Sequence, residues 1–142
     1  MIYYVELSSA PYTFAFDLDS RYIGKATFVY GHAGEVVVEG RVKRIVTAID
    51  ALQRFLVEFM FGAKKTRFLP VIEWESIAIA VSDDVWTIPS PFTKKYIEQA
   101  EKKLEKVNFN TKLYTYPSKD GKSFEEVVIE ALEDAKSRVS KG

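Results

Sequence analysis

The sequence predicts a single α/β domain in which hairpin strands come first and crossover helices follow. Three observations carry this. Period-two apolar alternation dominates the first forty residues, a 3.6-residue period takes over at Val42, and from Phe68 onward strand-like and helix-like stretches alternate. The length of 142 residues fits one domain spanning 1–142, long enough to bury a core without staples. An apolar content of 47% with 14% aromatics excludes general disorder.

Tyr3, Val5 and Leu7 alternate with Tyr4 and Glu6 as an extra N-terminal strand, which Pro11 interrupts. Tyr12, Phe14, Phe16 and Leu18 then share one face. Arg21 to Tyr30 reads as the next strand, Gly31-His32-Ala33-Gly34 as a turn, and Glu35 to Glu39 as the returning strand. Val42, Ile45, Val46, Ile49, Leu52, Leu56, Phe59 and Met60 recur at helical spacing, with Gly62 as a stop. Phe68 to Val81 predicts a buried strand, and Val85-Trp86-Thr87-Ile88 a short partner. A second helix is expected from Thr93 to Val107, a strand over Lys112 to Tyr116, and a last helix from Ser123. Ser123 with Glu126 forms a capping-box pattern. Three antiparallel strands followed by helix-strand-helix-strand-helix is the order of a ribonuclease H-like mixed sheet.

Composition narrows the chemistry. No cysteine is present, so disulfides, thiol nucleophiles and thiolate zinc sites are excluded. A lone histidine, His32, cannot build a multi-histidine metal site, and its glycine-flanked position reads as a surface turn. Lys+Arg and Asp+Glu both number 20, so no global basic field is present. No eighteen-residue apolar run suggests a membrane span, no signal peptide is apparent, and a cytoplasmic protein is the expectation. Scarce side-chain amides with abundant Lys and Glu lean towards a thermophile.

Charge is blocked along the chain. Residues 1–40, 71–91 and 123–142 are net acidic, whereas 41–70 and 92–122 are net basic. An acidic centre with a basic rim suits a metal-dependent enzyme acting on a phosphate backbone; the alternative is ordinary charge decoration of helices. Asp17 ends an apolar strand, where a carboxylate is costly unless paired, hydrated or metal-bound. Asp19 shares its face, with Cα atoms roughly 6.5–7 Å apart. Glu73, with Glu75 as fallback, follows the long helix. On the last helix Asp134 and then Glu130 fall at the edge of the apolar arc, while Glu133 faces solvent.

These segments carry a resemblance. Asp17-Leu18-Asp19-Ser20-Arg21-Tyr22-Ile23-Gly24-Lys25-Ala26 resembles the first motif of RuvC-type Holliday-junction resolvases, Asp-Pro-Gly-Ser/Thr-Arg-x-x-Gly-x-Ala, with Leu18 and Asp19 in place of Pro and Gly. Val71-Ile72-Glu73 is similar to the family's second motif, and Glu130-Ala131-Leu132-Glu133-Asp134-Ala135 to its third. The resemblance implies a metal-dependent nuclease on branched or structured nucleic acid, branched DNA above all, with Asp17, Glu73 and Asp134 as catalytic carboxylates. Asp17, Asp19, Glu73, Glu130 and Asp134 would then hold Mg²⁺ or Mn²⁺. It also implies a homodimer, for which Phe55, Val57 and Phe61 outside the main helical stripe offer a surface. Two other readings stand beside it: a non-catalytic α/β interaction or dimerisation domain, and a nucleotidyl transferase using Asp17 and Asp19. Lys64-Lys65-Thr66-Arg67 is a further candidate phosphate contact, equally readable as a solvated loop.

Overall fold

Gly40 is where irregular chain becomes helix. It adopts a left-handed φ of 66° as the N-cap, and helix α1 runs from it over Arg41–Val57. The structure, a computed structural model, describes residues 10–58 and 72–141. Strand β1 follows at Ile77–Ser82, helix α2 at Tyr96–Leu104, strand β2 at Thr111–Tyr116 and helix α3 at Phe124–Lys141. The two strands pair antiparallel, with Ile77 opposite Tyr116 and Ser82 opposite Thr111. α/β is therefore the class, and the period-3.6 stretches produced the helices as expected.

Helix α3 is the hub. It packs against α1, β1 and β2, while α2 lies against β2. Ile45, Ile49 and Leu56 from α1 meet Phe124, Val128 and Leu132 from α3 in one buried cluster. Val127 and Ala131, on the neighbouring side of α3, meet Val81 and Tyr114 of the sheet. The alternation of side chains along β1 explains the division: Ile77, Ile79 and Val81 point to the helix side. α3 begins with the expected capping box. The Ser123 amide donates to Glu126 Oε2 at 2.8 Å, and the Glu126 amide donates to Ser123 Oγ at 3.2 Å.

The N-terminal hairpin sheet of the ribonuclease H-like expectation is absent among the described residues. Residues 10–19 are irregular. Their alternation has a different cause: Phe14 sits edge-on to Phe55 and Trp74, at 6.1 and 6.2 Å, and stacks on Phe16, while Tyr12 stays largely exposed. Asp19 caps a 3₁₀ turn over Ser20–Tyr22 instead of continuing a strand. Gly24 then turns at φ 77°, where a Cβ would lie 2.5 Å from Val38 Cγ2. Lys25 and Val36 make a single bridge, closed by the turn through Gly31 and Gly34 at positive φ. Val85 to Ile88 forms no strand either, and the antiparallel partner of β1 is β2. The second helix is also shorter than the expected Thr93 to Val107, because α2 starts at Tyr96 and ends at Leu104. The readings at Tyr3 to Leu7, Phe59 to Gly62, Lys64 to Arg67 and Phe68 to Val71 lie outside the described residues.

Candidate nucleic-acid interface

Helix α1 opens with Arg41, Lys43 and Arg44, and no acidic residue occupies its first turn. That is the wrong sign for a helix N-terminus, whose unsatisfied amides and dipole favour anions and disfavour cations by several tenths of a kcal/mol each. Gly40 supplies no side-chain cap to offset it. Arg41 is used internally. Its Nε donates to the Ile23 carbonyl at 3.0 Å, and its Nη2 donates to the Ser20 carbonyl at 2.9 Å, fixing the 3₁₀ turn to the helix. Lys43 and Arg44 are exposed and form no ion pair among the described residues. Together with Glu39, Gly40 and Thr47 they line a shallow depression of about 390 Å³.

Other cations, on and near α3, are paired. Lys122 lies 2.6 Å from Glu130 and 3.1 Å from Asp120. Lys136 bridges Asp50 on α1 and Glu133 on α3. Arg138 bonds Asp83, Asp134 and the Asn110 carbonyl, tying α3 to the end of β1. Lys25, Arg54, Lys94, Lys102 and Lys106 also make no ion pair among the described residues, but Lys43 and Arg44 are set apart by standing at the start of a helix.

The carboxylates singled out from sequence take other places. Asp17 is exposed in the irregular run 10–19, and Glu73 is exposed in the irregular run before β1. Asp19 is bound to Arg21, whose side chain and amide hydrogen-bond to it and hold its carboxyl below the usual range. Glu130 pairs with Lys122 and, at 4.0 Å, with Lys112. Asp134 accepts from Arg138 and, at 3.0 Å, from the Tyr114 hydroxyl. No three acidic or histidine side chains among the described residues gather as a metal site. His32 does lie in a surface turn, where its Nδ1 is 3.0 Å from Glu35. Phe55 and Val57, offered as a dimer surface, pack half-buried against the core, while Phe61 lies outside the described residues. No helix among the described residues is long and apolar enough to cross a membrane.

Asp134 gives this arrangement a pH signature. Burial pushes its carboxyl up, but the Arg138 and Tyr114 hydrogen bonds outweigh burial and hold it below its ordinary value of 3.8. A depressed carboxyl stabilises the fold above its unfolded value and loses that stabilisation as pH falls through the folded one. Asp134→Asn should therefore melt lower than the wild type at pH 7. The gap should close as pH is taken below about 4. A gap that stays constant down to pH 2 would remove Asp134 from the stabilising network.

Lys43 and Arg44 were missed in the sequence because they sit inside an apolar-periodic helix that reads as core. The signal was present: adjacent cations one turn after a glycine at a helix start, with no acid in that first turn.

Comparison with known proteins places residues 1–101 in a match to the family model "CRISPR-associated negative auto-regulator DevR/Csa2". A "CRISPR-associated protein Cas7/Csa2 1" of Saccharolobus solfataricus is 34% identical over 100 residues, which is 68% of this chain and 30% of the relative. A "CRISPR-associated aCascade subunit Cas7/Csa2 2" of the same organism is 40% identical over 84 residues, 58% of this chain and 26% of the relative. The chain thus spans less than a third of the length of these curated relatives. No solved structure matches. These matches overturn the resemblance to RuvC-type resolvases and, with it, the metal-dependent nuclease reading. The structure supplies the physical reason. The segment that mimics the resolvase motif is a capped 3₁₀ turn clamped by Arg41, not a strand end.

Proposed function

We propose, from the premise that this chain belongs to the CRISPR-associated DevR/Csa2 family, that it is a non-catalytic component of a CRISPR-associated assembly and binds single-stranded RNA by its backbone. Assembly is suggested by the relative named as an aCascade subunit. The observation that carries the RNA contact is the cationic first turn of α1. Lys43 and Arg44 stand where a helix dipole disfavours them, and a phosphate placed there would meet both side chains and the uncapped amides. The stabilisation missing from the free protein would be recovered on binding.

Arg41 prepares the site without touching the ligand. By holding the carbonyls of Ser20, Arg21 and Ile23, it fixes residues 20–24 beside the helix start and lowers the ordering cost of binding there. The test is incubation of the 142-residue chain with an end-labelled twenty-nucleotide RNA in Mg²⁺ or Mn²⁺. The strand is expected to be retained by the protein and recovered intact. Shortened strands, or no retention at low salt, would contradict the reading.

A further inference from the structure

The loop between Lys25 and Val36 projects two aromatic rings into solvent. Its base is closed by the Ala26 amide donating to the Glu35 carbonyl at 2.9 Å and the Gly34 amide donating to the Ala26 carbonyl at 2.8 Å. Its tip is a turn in which the His32 amide donates to the Val29 carbonyl, with Gly31 at a φ of 83°. Phe28 is 99% exposed and Tyr30 102% exposed, so neither ring is packed against the protein. A closed, hydrogen-bonded turn that presents bare rings costs solubility and contributes nothing to the core, which marks it as a contact surface.

The loop is joined to the start of α1. The Val37 amide donates to the Gly24 carbonyl, Val38 packs on Gly24, and Arg41 binds the carbonyls just before Gly24. The bare rings therefore rise from the same end of α1 that presents Lys43 and Arg44. Aromatic rings beside a cationic backbone contact are the two parts from which single-strand binding surfaces are made. We infer that the tip stacks Phe28 and Tyr30 on bases of the single strand whose phosphates Lys43 and Arg44 hold. This rests on the RNA-binding reading above.

The test compares a labelled twenty-nucleotide RNA with an abasic strand of the same length, by fluorescence anisotropy. F28A/Y30A should weaken binding of the RNA roughly ten-fold or more, since each lost stack is large enough for that factor. It should leave the abasic strand and the salt dependence unchanged. Both rings are solvent-exposed, so the variant should fold as the wild type does. Equal affinity of F28A/Y30A and wild type for the RNA would overturn the stacking role while leaving the phosphate contact standing. Equal weakening on both strands would overturn it too. A variant that keeps RNA affinity but loses self-association in sedimentation would assign the tip to a protein contact instead. If the wild type binds neither strand, both this inference and the reading beneath it fall.

Discussion

K43E/R44E is expected to lose RNA affinity while holding or gaining thermal stability. Reversing two exposed charges removes two phosphate attractions and adds two repulsions. At roughly 0.1 M salt that should amount to about 3 kcal/mol, or on the order of a hundred-fold in affinity. Stability should move the other way. Glutamates in the first turn of α1 complement its dipole, where Lys43 and Arg44 oppose it, by about 0.3–1 kcal/mol for each residue. Neither native side chain has a carboxylate partner among the described residues to be orphaned by the change. Opposite signs in binding and melting separate a functional cation from a structural one. A variant that melts several degrees lower would show that Lys43 and Arg44 support the fold.

Leu56→Ala carries the largest expected loss of stability. Leu56 is 1% exposed and sits in the cluster that joins α1 to α3. Truncating such a leucine costs about 2–5 kcal/mol, because transfer energy is lost and a cavity remains. For a chain of this size, that corresponds to a fall in melting temperature of roughly 10 °C. A change on the solvent face of the same helix, Ala51→Gly, should cost only about 1 kcal/mol, the helix-propensity difference. Thermal melts by circular dichroism read both. A Leu56→Ala chain that melts within two or three degrees of wild type would mean that the α1–α3 cluster does not hold the domain together.

What was legible in the sequence follows which physical signal was local. The α3 cap was readable because Ser123 and Glu126 are three residues apart and satisfy each other's amides without help from elsewhere. The helical wheel also sorted the α3 acids correctly for exposure. The Glu133 side chain is 60% exposed and that of Asp134 only 21%. Their role was misread, because Asp134 faces Arg138 one turn on, and Asp83 and Asn110 complete that arginine's partners from afar. The N-terminal strands were misread for a related reason. Alternation at Tyr12 to Leu18 is the pattern of a half-buried strand, yet here a single ring, Phe14, reaches the core and the backbone finds no ladder. Gly24 and the Asp19 cap, both present in the resolvase-like segment, impose a turn where a strand was expected. Clustered carboxylates also drew attention more readily than Lys43 and Arg44, whose meaning depends on knowing where α1 begins.

If the start of α1 holds a nucleic-acid backbone, the affinity must fall with salt in proportion to the phosphates held there. Binding of a twenty-nucleotide single-stranded RNA should be measured from about 50 to 300 mM salt for the wild type and K43A/R44A. Each phosphate contact on a single strand contributes roughly −0.7 to the slope of log affinity against log salt. The wild type should show a negative slope that becomes shallower by about 1.4 in K43A/R44A. An identical slope in the two proteins, or a wild-type affinity that salt does not weaken, would contradict it.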